Sequence, residues 1–228
     1  MKAIILYISF ISIIFGISIK DVGNLIKLIT LYGNINTSNV VTDTYIGADT
    51  ENISSYSYGL ETQLSSLGLK GRYNKIYLNL GYSQGGFFQR NIHETINYEV
   101  QKRYQIHYVH SAFTYPLSLP KRKLEANPGL YFGFPISGDI EPVKGGFKQP
   151  KIVLQKSYLK TDIGLILMIK YKLNSSISLL STVKYGLNSS FDYTYEAYKA
   201  SNRIIGIGIN YRYSDRKKRI IKLFLKDK

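Results

Sequence analysis

The sequence predicts an all-β fold: an eight-stranded antiparallel up-and-down transmembrane β-barrel with long outer loops and short periplasmic turns. Three observations lead there. Long segments alternate apolar and polar residues with period two, as strands do because successive side chains point to opposite faces. Several run for about ten residues or more, the length a tilted strand needs to cross a bilayer. The connections alternate long and short, the rhythm of outer loops and periplasmic turns.

The clearest alternation lies near the C-terminus. In 161–173 (TDIGLILMIKYKL), Ile163, Leu165, Leu167, Ile169, Tyr171 and Leu173 share one face. Asp162, Gly164, Lys170 and Lys172 share the other. In 174–190, Ile177, Leu179, Val183, Tyr185 and Leu187 oppose Ser178, Thr182, Lys184, Gly186 and Asn188. In 202–213, Ile205, Ile207, Ile209, Tyr211 and Tyr213 oppose Gly206, Gly208, Asn210 and Arg212.

From the N-terminus, residues 1–18 (MKAIILYISFISIIFGIS) carry Lys2, an apolar run, and the small pair Gly16 and Ser18. That layout is a secretory signal peptide cut after Ser18, and the run is short for a helical membrane anchor. The domain reading is therefore a signal at 1–18, a barrel at 19–213 and a basic tail at 214–228. Gly23–Asn34 is the first strand candidate, followed by a polar stretch to Ser54 that reads as a loop. Tyr56–Leu67 alternates, with Glu61 on the polar face. Gly68–Asn74 is a turn. Lys75–Phe88 alternates again, and Gln89–Asn97 is a polar connection. Tyr98–Leu119 is long. Tyr104, Ile106 and Tyr108 set its pattern, and a shift at Val109–Phe113 suggests a bulge. Leu119–Lys123 is a tight basic turn. Leu124–Ser137 carries Leu130, Phe132, Phe134 and Ile136 on one face, and Pro135 marks a strand end or a bulge. Gly138–Ser157 reads as a long loop, Lys172–Ser176 as a short turn, and Asn188–Ser201 as a long polar loop. Residues 34–54, 89–97, 138–157 and 188–201 would lie outside the cell and both termini in the periplasm.

Alternation alone does not say which face is inside. A soluble lipocalin-like barrel would bury its apolar face. Here one face gathers charges and glycine, which suits a narrow lumen. The other is apolar and aromatic, which suits lipid. Glu61, Asp162, Lys170, Lys184 and Arg212 are the expected lumen set. A barrel of eight strands is just filled by its side chains, so these charges would form a structural polar network.

Composition narrows the function classes. The 228 residues include 21 tyrosines, no tryptophan and no cysteine. Disulfides, thiolate metal sites and thiol nucleophiles are thereby excluded. The net charge of +15 comes without a nucleic-acid motif, so no nucleic-acid partner is expected. His107 and His110, three apart on a strand, face opposite ways and make no metal pair. His93 and Glu94 fall in an expected outer loop, where an enzyme of this kind would work, yet no activated nucleophile or ligand spacing surrounds them. Gly85-Gly86 and Gly145-Gly146 lack the context of phosphate loops. No catalytic, cofactor or metal site is expected. The readings are a non-enzymatic envelope barrel, alternatively a small pore or a lipid- or ligand-binding barrel, and less readily an enzyme at the loop rim.

The chain resembles the PorT-like family of bacterial outer-membrane β-barrel proteins. The resemblance rests on 78–88 (LNLGYSQGGFF), 107–119 (HYVHSAFTYPLSL), 127–139 (NPGLYFGFPISGD), 161–173, 183–190 and 202–213. It implies an outer-membrane location, outer-membrane lipid as surroundings, and the barrel-assembly machinery as a partner during insertion. It also admits an envelope protein partner and an accessory part in protein export. The family commonly ends on an aromatic residue, whereas Tyr213 is followed by SDRKKRIIKLFLKDK. That tail has the basic and apolar mixture of a surface-lying segment.

Overall fold

The computed structural model describes residues 29–42, 49–64, 75–93, 98–118, 123–144, 147–148, 150–189, 191–193 and 198–212. The expected signal at 1–18 and tail at 214–228 lie outside them. Eight long strands close into an antiparallel barrel: β1 (Thr30–Thr42), β3 (Ile53–Gln63), β4 (Tyr77–His93), β5 (Tyr98–Thr114), β7 (Leu124–Lys144), β10 (Asp162–Lys172), β11 (Ile177–Gly186) and β13 (Tyr198–Arg212). Neighbours pair in that order, and β1 pairs with β13 to close the ring. Closure removes the free edges that make an open sheet prone to aggregate. Short strands decorate one end: β2 (Asp49–Glu51), β8 (Phe147–Lys148), β9 (Ile152–Val153) and β12 (Phe191–Tyr193). At the other end β6 (Leu117–Ser118) pairs with β7. We call lower the end where β1 begins, β13 ends, and β10 turns into β11.

Several strands are longer at the upper end than alternation of apolar residues suggests. The stretch expected to be a loop from Asn34 to Ser54 contains the upper half of β1, all of β2 and the start of β3. Gln89–His93 continues β4, Gly138–Lys144 continues β7, and Tyr198–Ser201 begins β13. The first strand starts at Thr30 among the described residues rather than being centred before Asn34. In sequence these stretches do not alternate apolar with polar residues as the lower halves do. They are polar strands that read as loops.

The expected bulge in β5 is absent. From Tyr104 to Thr114 every even residue is buried, without a break. What changes near Val109 is the chemistry of the surroundings, not the register. The bulge sits on β7 instead. His107 pairs with Ser137 and Tyr108 with Pro135, so Ile136 is the extra residue. Pro135 has no amide hydrogen to give a ladder, and the bulge lies beside it.

The outer wall of the lower half is apolar. Ile35, Ile205, Ile207 and Ile209 on β1 and β13, Leu165 on β10, and Leu130 and Phe134 on β7 are all exposed, Ile35 at 78% and Ile207 at 71%. In the upper half the sides exchange. Val40, Phe87, Tyr104, Ile106, Tyr108 and Ile140 point inward and form a buried core, with Phe87 and Tyr104 stacked at 4.5 Å between centroids. The apolar residues of β5 at 104, 106 and 108 therefore do not face lipid, as the alternation rule alone would have them. Leu154 and Leu159 complete this core from above. They flank the short 3-10 turn Lys156–Tyr158 and close over Gly138, tied by the Leu154 amide donating to the Gly138 carbonyl (2.9 Å).

Candidate functional site

The interior of the lower half is polar and filled in tiers. Near the lower end, Lys170 Nζ from β10 lies 2.6 Å from both carboxylate oxygens of Glu61 on β3. Glu125 from β7 stands 3.6 Å from the same ammonium and also accepts from Asn127 Nδ2 (2.9 Å). The Lys170 ammonium rests over the Tyr77 ring at 4.6 Å. All three charged groups are buried. A buried pair of this kind persists only with such close geometry and added partners, because desolvation opposes it.

Above this tier Tyr32, Ala112, Tyr131, Ile166, Met168 and Leu180 form a small apolar layer. Tyr32 crosses it. Its hydroxyl meets His110 Nε2 at 2.7 Å, passing directly over Gly59 and Gly81. A Cβ at either glycine would lie 2.6 or 2.8 Å from that hydroxyl, so both positions must be bare for the bond to form.

A second polar tier follows. Asp162 accepts from the Tyr131 hydroxyl (3.0 Å) and from Asn202 Nδ2 (2.9 Å), and Asn202 Nδ2 also reaches the Tyr108 hydroxyl (3.1 Å). Lys184 is buried beside them, its ammonium 5.5 Å from the Tyr131 ring centroid. Across the lumen, Asn34 and Asn36 donate to Ser57 and Asn34 to Thr182. Ser38 both accepts from the Gly86 amide and donates to its carbonyl. Gly86 has φ of 141°, a backbone region that only glycine adopts at low cost. That distortion turns its amide toward β1.

The five charges singled out from the sequence thus fall into separate places. Glu61 and Lys170 join in the lower tier. Asp162 and Lys184 lie in the upper one. Arg212 shares the inward register of Asn210 but is exposed at the lower rim, where β13 ends. Glu125, Tyr32, Tyr131 and Asn202 were not singled out. Parity could have found Glu125, which shares the alternate face of Asn127 and opposes Leu130. Nothing local in the sequence pairs Tyr32 with His110, 78 residues away.

The two histidines do face opposite ways. His110 is inside; His107 is on the outer wall, bonded to the Tyr82 hydroxyl and 3.8 Å from Asp139. His93 ends β4, and Glu94 lies outside the described residues. Among the described residues no three His, Asp or Glu side chains are grouped to hold a metal. No helix among them is long and apolar enough to cross a membrane, which says nothing about crossing by strands.

No protein-family model matches the chain, and no curated protein matches it. These comparisons give no support to the PorT-like resemblance, which rests only on the segments quoted above. Among solved structures, Neisserial surface protein A is 10% identical with a TM-score of 0.47, covering 81% of this chain and 97% of that one. Ail of Yersinia pestis is 11% identical with a TM-score of 0.44, over 80% and 97%. The outer membrane protein OprG from Pseudomonas aeruginosa is 11% identical with a TM-score of 0.42, over 81% and 95%. None of these likenesses bears on what the chain does.

Proposed function

We propose that the chain is a non-enzymatic outer-membrane β-barrel whose lower half spans the bilayer and whose upper half stands outside as a rigid collar. The observation that carries this reading is the exchange of polarity along single strands. On β5, Tyr104, Ile106 and Tyr108 are buried inward while Val109 and Phe113, lower on the same strand, are exposed outward. Water selects the first arrangement and lipid the second, since a charge on the lipid face costs about 2–4 kcal/mol near the midplane. The strands agree with this in length. Asp162–Lys172 and Ile177–Gly186 have 11 and 10 residues, enough to cross, whereas β4 and β5 have 17 each and run on.

The tiers of Glu61–Lys170–Glu125 and Asp162–Tyr131–Asn202 serve as structural plugs in this reading. They fix register and fill the lumen, so the barrel is not an open pore. Export through a signal at 1–18, insertion by the barrel-assembly machinery, periplasmic termini and the PorT-like grouping belong to the same proposal. So does a role in presenting the collar to an envelope partner, with an accessory part in export.

The absence of cysteine makes a direct test simple. Single cysteines replace Ile207 in the belt and Gln105 in the collar, and the protein is reconstituted in liposomes. A membrane-impermeant maleimide is expected to label Gln105→Cys and not Ile207→Cys. Equal labelling of both, or a protein that stays monomeric in buffer without detergent, would return the soluble lipocalin-like barrel. The same liposomes are expected to show no steady conductance.

A further inference from the structure

The outer wall carries a built polar relay at the level where the apolar belt stops. Tyr56 and Tyr58 on β3 stack at 6.4 Å between centroids, and Tyr58 stacks on Tyr82 of β4 at 5.2 Å. Tyr82 stacks on His107 of β5 at 5.9 Å. The Tyr56 ring also lies 5.7 Å from that of Tyr82, and the Tyr82 hydroxyl meets His107 Nδ1. His107 Nε2 faces Asp139 on β7 at 3.8 Å, and the other Asp139 oxygen faces Lys151 at 3.5 Å. The chain of groups thus crosses three neighbouring strands, skips none, and ends on β7 and the segment before β9. Directly below it Val109, Phe134 and Ile136 are exposed and apolar.

We infer that this relay is a binding site for the saccharide head of an amphiphile whose chains lie on the belt beneath it. Three features select that chemistry. The groups alternate donors and acceptors: hydroxyls, an imidazole, a carboxylate and an ammonium. Sugar hydroxyls need both. The charges of Asp139 and Lys151 offset each other, so a phosphate would gain little from the lysine and be repelled by the aspartate. Tyr56 and Tyr58 are about half exposed, at 49% and 55%, and offer apolar ring surface for the C–H face of a sugar. The rings lie near parallel rather than boxed around a centre, which does not suit a quaternary ammonium head. The hydrogen bond to His107 holds the Tyr82 ring in place before a ligand arrives, which lowers the ordering cost of binding.

The inference rests on the belt and collar assignment, but it fails separately. The cysteine labelling above can succeed while no head-group preference exists. The test uses the full barrel in lauryl dimethylamine oxide, which has no sugar. Dodecyl maltoside and dodecylphosphocholine are added at equal concentration, and the molecules retained are counted by native mass spectrometry. The native protein is expected to retain the maltoside about fivefold in excess, the scale of one or two hydrogen bonds. Tyr58→Ala and Tyr82→Phe are each expected to bring that excess toward parity, while Tyr171→Ala at the lower end of β10 leaves it unchanged. Tyr82→Phe keeps the ring, and heat-modifiable gel mobility confirms that each variant is folded. Equal retention of the two amphiphiles by the native protein would overturn the site, as would an excess that survives both substitutions. Free maltose is expected not to be retained; if it is held as well as the maltoside, the ligand is a soluble glycan and the amphiphile is wrong.

Discussion

The lower and upper halves of this barrel are built from the same strands yet obey opposite rules. In the belt, Ile207 and Leu165 point out and Glu61 and Lys170 point in. In the collar, Tyr104 and Phe87 point in, while Arg103, Gln105 and Asp139 take the outward register. Neither arrangement is intrinsic to a β-strand. Apart from the Ile136 bulge on β7 the alternation carries on from one half to the other, and what differs is which face is apolar, as the proposed change of solvent along the wall would require. The comparison teaches that one barrel can carry two cores: a hydrogen-bonded polar one where its outer wall is apolar and an apolar one where its outer wall is polar.

The two halves are separable by substitution. The largest effect is expected from Glu61→Ala, which strands Lys170 in the interior with Glu125 at 3.6 Å as its remaining carboxylate. Urea unfolding should show a loss of about 3–5 kcal/mol, and Glu61→Gln combined with Lys170→Met should recover much of it. A full loss in the double variant would mean that the pair acts through something other than its charge. Tyr104→Ala in the collar should cost about 3–4 kcal/mol through the cavity it leaves against Phe87. It should leave the belt protected in hydrogen exchange, and joint opening of both halves would show that they form one cooperative unit. Ile207→Arg on the belt should cost about 2–4 kcal/mol. Gln105→Arg on the collar wall should cost less than about 0.5 kcal/mol. If those last two costs prove alike, the collar does not stand in water.

Where the outer wall is apolar, the strands were legible. Residues 161–173 and 202–213 show their belt faces by alternation alone, and the eight-strand count follows from them and their neighbours. Asn34–Thr42 was not legible as strand. Its inward residues Asn34, Asn36 and Ser38 are polar, and what holds them is Ser57, Thr182 and Gly86, none of them near in the sequence. Pro135 announced an irregularity correctly. The pattern shift on β5 was misread as a second one, because a change in which face is apolar and a change of register leave the same trace in a sequence. The strap that brings Leu154 and Leu159 into the collar was also hidden, since two leucines in a polar loop name no destination.

By itself, then, the sequence determined which residues alternate, which lower-wall positions are apolar, and which polar residues share the opposite face. These are local properties, set by the two-residue period of an extended chain. Tertiary structure decided the partners: Glu61 with Lys170 across 109 residues, Tyr32 with His110, and Asp162 with Tyr131 and Asn202. Those meetings depend on the stagger between eight strands and on β1 closing against β13. Tertiary structure also decided where inside and outside exchange their chemistry. That boundary lies at the level where Val109 gives way to Tyr108, a position that β5 itself does not mark because its alternation passes through unbroken, while on β7 the Ile136 bulge falls there.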